Sequence, residues 1–396
     1  MTDLNFRAAS LRGILKKGPS SGSTLSEPKL KSKAIAIKEI APYGDIILEL
    51  PTSAGIAKLK VASQVLCSAS PVFRAMLGPA SSFREACELR KMSATAEPYR
   101  LVLEDDNPEA LAVILLALHC QNKFVPVTIS FQNLLDLAII CDKYDCATAV
   151  SLWTDIWTKD WKKMAQDAGY EQWLFIAWTF GVEDVFHSLS KKLIMEGHYG
   201  TEDSTLFVTK EGFCLDEMLV PEQVMEAIRV QRRVAINSMS CSTLHYQELY
   251  TTAWGKPLCK YSPGPTETCD AVILGSIMKG LRSLGLVPDF DKFILKSVSE
   301  MQIGINAIRI EFLGTGTAAT GSRTYCSYCG NYHCASSNGS NIGPSHASTC
   351  SFLPDIHKKI ATAVNEIKGL SLADFKRTAG KSAGANTAKW DLFDYK

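Results

Sequence analysis

Four cysteine and histidine residues near the C-terminal end of the chain have the spacing of a metal site. Cys326 and Cys329 are separated by two residues, and His346 and Cys350 by three. Together they offer the four sulfur and nitrogen donors that a tetrahedral zinc ion takes. The sixteen residues between the pairs are a normal length for a zinc knuckle. The sequence therefore predicts a structural zinc site within residues 326–350.

Other donors leave the ligand set open. His333 and Cys334 lie between the two pairs and can replace one member, whereas Cys259 and Cys269 are too remote in sequence to be placed. The alternative to a metal is a loop of free thiols. A catalytic zinc is not expected, because a complete set of four ligands leaves no open position and no Glu adjoins either pair to act as a base.

Two glycine-containing segments do not fit nucleotide sites. Residues 314–321 follow a predicted strand, Ala307–Leu313, but the residues after them do not begin a helix, as a dinucleotide loop requires. Gly380-Lys381-Ser382 lacks the earlier glycine of a phosphate loop, because Phe375 occupies that position. No catalytic residues are predicted, and the protein is expected not to be an enzyme.

Length and composition indicate two or three ordinary globular domains. The chain has 396 residues and a net charge of +1. No apolar run approaches the ~20 residues that a membrane span needs. The N-terminus lacks the apolar segment of a signal peptide, so we expect an intracellular protein in the cytoplasm, the nucleus or both. No membrane association is expected.

Residues 1–40 have the composition of a disordered basic tail. They contain eight Lys and Arg residues against three Asp and Glu residues, with many Gly, Ser and Pro. Two basic groups, Lys16-Lys17 and then Lys29, Lys31 and Lys33, have the spacing of a bipartite nuclear-import signal. The alternative is a solvated basic tail that carries no import signal.

Residues 41–150 contain short strands first and helices later, which predicts an α+β module. The strands are expected at residues 45–50, 59–61 and 99–103. Ser70 before Pro71 and Asn107 before Pro108 are each a helix cap followed by a proline in the first turn. A further helix is predicted for Phe131–Tyr144.

The order of these segments resembles the BTB/POZ domain, a protein–protein interaction module, and is similar to the BTB proteins of the fungal type. The resemblance covers about residues 42–150 and is carried by Asp45, Val65-Leu66, Ser70-Pro71-Val72-Phe73 and the step from Leu103 to Pro108. It implies BTB self-association or binding to another protein.

Two local features qualify this resemblance. The transcription-factor branch of the family pairs a basic residue with the residue that matches Asp45, but here the corresponding positions are Ala62 and Ser63. Phe83-Arg84-Glu85 is similar to the apolar-x-acidic motif of BTB proteins that bind cullin scaffolds. Phe83 and Glu85 are therefore the expected partner-binding residues, and packing of Phe83 on its own domain is the alternative.

The remaining chain is predicted as a helical region, residues 151–250, and a Cys/His-rich C-terminal region, residues 251–396. An amphipathic helix from Pro221 is expected to bury Val224, Ile228 and Val234. Its basic residues, Arg229, Arg232 and Arg233, are expected to point outward, either toward phosphates or, as we favour, on a solvated face.

These features predict a scaffold or adaptor, for example a substrate adaptor of a cullin-type ubiquitin ligase. The alternative is a nuclear transcription- or chromatin-associated BTB factor. Nucleic-acid fingers usually carry Lys or Arg between the ligand pairs, and residues 330–345 contain neither. The sequence therefore favours protein partners over nucleic acid.

Overall fold

The structure is a computed structural model that describes residues 37–92, 97–200, 205–253, 255–260, 266–287, 295–312, 324–325, 332–333 and 349–379. The chain divides into two compact units, and the division falls mainly after Leu189. The first unit comprises the described residues up to Leu189 and Glu217–Val220; the second comprises Ser190–Asp216 and the described residues from Pro221 onward. The protein is α+β, with many helices and a small sheet.

The first unit contains a four-stranded sheet. Its strands are β1 (Lys38–Glu39), β2 (Ile46–Thr52), β3 (Gly55–Val61) and β4 (Tyr99–Val102), in the order β1-β3-β2-β4. β2 and β3 form an antiparallel hairpin, whereas β1 runs parallel to β3 and β4 runs parallel to β2. Ile46, Leu48 and Leu50 alternate along β2 and are fully buried, so this central strand is part of the hydrophobic core.

The described residues include the end of the segment assigned to the basic tail. Lys38 and Glu39 form β1, and Ile40 is buried. Residues 1–36 lie outside the described residues, as do both groups of lysines of the expected import signal. The first unit also extends beyond residue 150, where the N-terminal module was expected to end.

Helices follow the hairpin and flank the last strand. They are α1 (Ser63–Ala69), α2 (Pro71–Leu77), α3 (Arg84–Met92), α4 (Pro108–Leu118), α5 (Phe131–Tyr144), α6 (Ser151–Lys159), α7 (Trp173–Phe180) and α8 (Glu183–Glu196), which runs across the division. The Ser70 side chain accepts a hydrogen bond from the Phe73 N–H, and the Asn107 side chain accepts from the first turn of α4. Both predicted helix starts are confirmed.

A buried polar cluster joins α5 to the start of α4 and to α2. The carboxylate of Asp106 accepts hydrogen bonds from the Lys143 ammonium at 2.6 Å and the Tyr144 hydroxyl at 2.5 Å. The Tyr144 ring stacks on Phe73 with centroids 4.2 Å apart. The Ser70 hydroxyl donates to the Tyr144 carbonyl at 2.5 Å. Burial and then the negative charge of Asp106 raise the pKa of Tyr144, so the phenol remains a donor.

The second unit is built around a long helix. Its elements are β5 (His198–Tyr199), β6 (Phe207–Val208), α9 (Glu222–Thr252), α10 (Thr266–Ser283), α11 (Val298–Asn306), β7 (Thr324–Tyr325), β8 (Tyr332–His333), α12 (Leu353–Asn365) and α13 (Leu372–Ala379). α9 contacts α10, α11 and α12, and α11 also contacts α12. The buried stripe of α9 runs from Val224 through Ile228 and Met239 to Tyr246, so this helix supplies much of the core of the second unit.

The prediction that Arg232 points outward is wrong. Only 1% of its surface is exposed, whereas Val234, which was expected inside, is 62% exposed. At 100° per residue, Val234 lies about 240° around the helix from Ile228, while Arg232 is one turn from Ile228 and shares its buried face. Arg229 and Arg233 do carry acidic neighbours: Arg229 pairs with Asp216 and Glu222, and Arg233 with Glu226.

Arg232 is accommodated inside because its guanidinium has fixed partners. It donates to the carbonyl of Gly197 at 2.8 Å and to the carbonyl of Lys296. The guanidinium carbon lies 5.1 Å from the ring centroid of Tyr199 and 5.9 Å from that of Phe207. Burial lowers the pKa of Arg232 to about 10, so it remains charged at neutral pH. The side chain thus connects α9 to the residues that precede β5 and α11.

The strand predicted for Ala307–Leu313 is also wrong over the residues that the structure describes. Residues 307–312 form a turn and an irregular segment. Ile308 and Ile310 are buried, and Ile308 lies so close to Gly280 of α10 that an added Cβ would approach it to 2.8 Å. The Glu311 N–H donates to the Ser276 hydroxyl at 3.0 Å. The alternation of apolar and polar residues in this segment therefore comes from packing against α10. The Ser276 hydroxyl accepts the hydrogen bond that a neighbouring strand would otherwise have accepted.

Candidate metal centre and partner-binding surface

Three cysteines of the second unit come together in space. The sulfur atoms of Cys259, Cys269 and Cys350 all lie within 4.8 Å of one another. Cys350 belongs to the set predicted from the sequence, whereas Cys259 and Cys269 were candidates that could not be placed. The other predicted ligands, Cys326, Cys329 and His346, lie outside the described residues, as does Cys334. Their part in a zinc site stays a prediction.

Each cysteine of this thiol cluster is brought in by a different segment. Cys259 lies in residues 255–260, which follow α9 after a turn at Gly255 with a φ of +76°. Cys269 lies in the first turn of α10, and Cys350 just before α12. Cys259 and Cys350 are 91 residues apart in sequence. The spacing of the three cysteines along the sequence does not predict that they meet, because the packing of α10 and α12 against α9 brings them together.

Neighbouring side chains hold the three segments in place. The carboxylate of Asp270 accepts a hydrogen bond from the Leu258 N–H at 2.6 Å, beside Cys259. Phe352, two residues after Cys350, stacks on Tyr246 with centroids 4.5 Å apart and contacts Tyr250 at 5.7 Å. Cys269 and Cys350 are buried, and Cys259 is half-buried. The donors are therefore positioned by packed elements of the second unit.

The protonation of the cluster is uneven. Burial, then the hydrogen bond with Cys259 and the charge of Cys350, raise the pKa of the Cys269 thiol. Burial acts to raise the pKa of Cys350 as well, but hydrogen bonds from Thr349, the Lys260 main chain and the other two cysteines outweigh it and lower that pKa. A second thiolate beside Cys350 is thus disfavoured unless a cation neutralises it. Such a cluster has the donor type that soft divalent metals select.

Three thiols match a tetrahedral metal in donor chemistry and in mutual distance. At a metal–sulfur distance of about 2.3 Å, ligand sulfurs of a zinc ion stand roughly 3.8 Å apart. The sulfurs of Cys259 and Cys350 are 3.5 Å apart, slightly closer than this. A zinc ion would have three sulfur ligands here and one further position, and small shifts of the side chains would admit it. The residues present therefore fit the metal.

The predicted partner-binding residues lie at the start of α3. Phe83 is 52% exposed, so it is not fully buried in the core of the first unit. Glu85, in the first turn, is half-buried and makes no hydrogen bond or ion pair within the part of the chain that the structure describes. Arg84 between them pairs with Glu88 at 2.7 Å. Phe83 and Glu85 are therefore available to another molecule, whereas Arg84 already has a partner.

The loop that presents Phe83 is held by hydrogen bonds. Arg90 donates to the carbonyl of Pro79 at 2.9 Å and to that of Ser81 at 3.0 Å. The Ser81 hydroxyl donates to the carbonyl of Ala75 at 2.5 Å and accepts from the Phe83 N–H at 3.1 Å. An exposed aromatic ring on a restrained loop loses little conformational entropy when it is buried against a partner.

Asp45 matches the residue that forms a charged pocket in the transcription-factor branch of the BTB family. Here its carboxylate is hydrogen-bonded to the first residue of α1. Its carboxylate accepts hydrogen bonds from the Ser63 N–H at 2.7 Å and from the Ser63 hydroxyl at 2.5 Å. The neighbouring Ala62 N–H donates to the His119 ring at 3.1 Å. Asp45 thus acts as a helix cap supplied by the residue before β2.

Comparison with known proteins adds no relative. The sequence matches no protein-family model and no curated protein. Among the described residues, no helix combines the length and the apolar character needed to cross a membrane.

Proposed function

We propose that this protein is an interaction scaffold or adaptor whose first unit is a BTB/POZ-like module. The observation that carries the proposal is the order and pairing of its elements. A hairpin is followed by three short helices, then by a strand that joins the sheet parallel to the first hairpin strand, and then by a helix pair. This is compatible with the segment order on which the BTB resemblance rests. Its partners are a cullin-like scaffold or a second copy of the chain, in the cytoplasm or the nucleus.

The alternative, a nuclear transcription- or chromatin-associated BTB factor, receives less support. It would use a charged pocket at Asp45, but that carboxylate accepts two hydrogen bonds from Ser63. Its remaining support is the basic character of residues 1–40. A factor of this kind would bind DNA with an affinity that falls steeply as salt is raised, whereas the adaptor would not.

Replacing Phe83 by Ala is expected to abolish capture of a cullin scaffold by the full-length protein. A surface aromatic that anchors a partner contributes about 2 kcal/mol or more to binding. Because Phe83 is half-exposed in the free protein, its loss should change the melting temperature only slightly. The measurement is a pull-down with purified cullin, accompanied by a thermal melt of each variant.

Phe124→Ala is the matched control for this experiment, since Phe124 is 63% exposed in the same unit but lies outside the Phe83–Glu85 motif. Glu85→Ala is expected to weaken capture as well, because a partly desolvated carboxylate gives one charged hydrogen bond. Equal loss of capture with Phe124→Ala, or no capture by the unmodified protein, would remove the cullin assignment. Sedimentation of the full chain then tests the remaining option, a second copy.

We further propose that the metal of the C-terminal region is a structural zinc ion with Cys259, Cys269 and Cys350 among its ligands. The close approach of these sulfurs from three segments supports the proposal. A bound zinc would neutralise the thiolates and tie the start of α10 and Cys350 to the segment that follows α9. These residues would hold the ion and shield it; no catalytic role is proposed.

Protein purified without chelators is expected to contain about one zinc ion per chain, because a structural site binds almost stoichiometrically. Cys259→Ser, Cys269→Ser and Cys350→Ser should each lower that content severalfold, as measured by elemental analysis. Cys241→Ser, which changes an exposed cysteine of α9 outside the cluster, is the control and should keep the metal.

Two other results would contradict this ligand set. Less than ~0.2 zinc per chain would remove the metal altogether. Loss of zinc from Cys326→Ser and Cys329→Ser, with normal content in Cys259→Ser and Cys269→Ser, would instead support the knuckle predicted from the sequence.

A further inference from the structure

Two sulfurs of the thiol cluster are close enough to be joined covalently. Cys350 and Cys259 have their sulfur atoms 3.5 Å apart, in contact with each other. A disulfide bond needs about 2.05 Å, so a shift of the two side chains by about 1.5 Å in total would suffice. Reversible oxidation is a property that neither the adaptor role nor a structural zinc requires.

We propose that Cys259 and Cys350 are a redox modification site, at which a hydroperoxide converts the two thiols into a disulfide and so releases the metal from the cluster. The release of metal rests on the zinc proposed above. The formation of the disulfide does not rest on the zinc, because it depends only on the contact between the two sulfurs.

The structure favours this pair over either pair that includes Cys269. Cys269 is fixed in the first turn of α10 and is fully buried. Cys259 lies in an irregular segment, and Cys350 is the last helical residue before the two irregular residues that lead into α12. Cys259 is also the only member of the described cluster that is half-buried, and the other two are buried. Cys259 is therefore the sulfur that a small oxidant reaches first.

The chemistry balances without any further reactant. Cys259 loses its proton and attacks one oxygen of the hydroperoxide, the O–O bond breaks, and a sulfenic acid forms while the second oxygen takes up a proton and leaves as water or an alcohol. The Cys350 thiolate then attacks the sulfenic sulfur, the S–S bond forms, and the S–O bond breaks to release water. The two sulfurs give up two electrons to the peroxide, and the two protons that complete its products come from the thiols or, where zinc already holds thiolates, from water. The zinc ion keeps its charge and leaves because two of its ligands are no longer thiolates.

The test uses the full-length, zinc-containing protein and hydrogen peroxide. We expect zinc to be released to a coloured chelator in step with a mass decrease of about 2 Da, the loss of two hydrogens. Digestion without reductant should yield one linked pair of peptides, carrying Cys259 and Cys350. Dithiothreitol followed by added zinc should restore the starting mass and metal content.

Variants separate this proposal from that of the zinc site. Cys241→Ser should behave as the unmodified protein, whereas Cys259→Ser and Cys350→Ser should give no linked pair. Cys269→Ser should lose metal yet still form the linkage. If the protein contains no zinc but forms the Cys259–Cys350 disulfide, the zinc proposal is wrong and the disulfide proposal stands. Three results with the zinc-containing protein would overturn the redox proposal. Peroxide would leave Cys259 and Cys350 as thiols, link them to other cysteines, or oxidise them to sulfinic acids.

Discussion

Replacing Arg232 by Ala is expected to destabilise the second unit by about 3–5 kcal/mol, because two carbonyls lose their donor and a large buried side chain is replaced by a cavity. The substitution removes the donor from the carbonyls of Gly197 and Lys296 and leaves space beside the rings of Tyr199 and Phe207. Buried acceptors that lose a donor carry their full desolvation cost. Arg232→Lys should recover only part of the loss, because an ammonium lacks the planar fork that reaches two carbonyls.

Hydrogen exchange read by mass spectrometry is the suitable measurement for Arg232. Five of the seven tryptophans, from Trp153 to Trp178, lie in the first unit, so fluorescence reports mainly on that unit. We expect faster exchange in peptides covering Gly197 and Lys296. Arg233→Ala is the matched control, because the Arg233 side chain is 54% exposed and its ion pair with Glu226 is 3.8 Å long. It should change stability by no more than about 0.5 kcal/mol. Equal effects of the two variants would contradict the assigned role of Arg232.

Replacing Asp106 by Ala is expected to destabilise the first unit by about 2–4 kcal/mol. This is slightly less than the cost of removing one partner of a fully buried ion pair. The Asp106 side chain is 1% exposed, but the Lys143 side chain is 39% exposed and can return to water. The Tyr144 hydroxyl then loses its acceptor while its ring remains stacked on Phe73. Because Ser70 also bonds to the Tyr144 carbonyl, the loss should extend to the contact of α5 with α2.

Urea unfolding followed by tryptophan fluorescence measures the effect of Asp106, since the fluorophores lie in the same unit. Asp105→Ala is the control, because the neighbouring residue is exposed and should change stability by only about 0.5 kcal/mol or less. Tyr144→Phe removes the hydroxyl alone and should cost about 1–2 kcal/mol. A stability of the Asp106 variant equal to that of Asp105→Ala would show that this cluster does not stabilise the unit.

Local sequence determined the features that depend on residues close together in the chain. The helices that begin after Ser70 and Asn107 were predicted because a capping side chain and the following proline act within one turn. Phe131–Tyr144 was predicted with the bounds that the structure shows. The exposure of Phe83 next to the start of α3 also agrees with the motif that singled it out. The partner that this motif would bind stays a prediction.

Tertiary structure decided the features that depend on residues far apart. Arg232 is inside because the carbonyls of Gly197 and Lys296, contributed by other segments, compensate its desolvation, and nothing near it in sequence reveals them. Residues 307–312 are not a strand, because the Ser276 hydroxyl accepts the hydrogen bond that a neighbouring strand would have accepted. Cys350 meets Cys259 and Cys269 because α10 and α12 both pack on α9. The sequence by itself predicted a metal site with cysteine and histidine donors. Which cysteines lie together is set by helix packing, since spacing along a chain limits distances only between near neighbours.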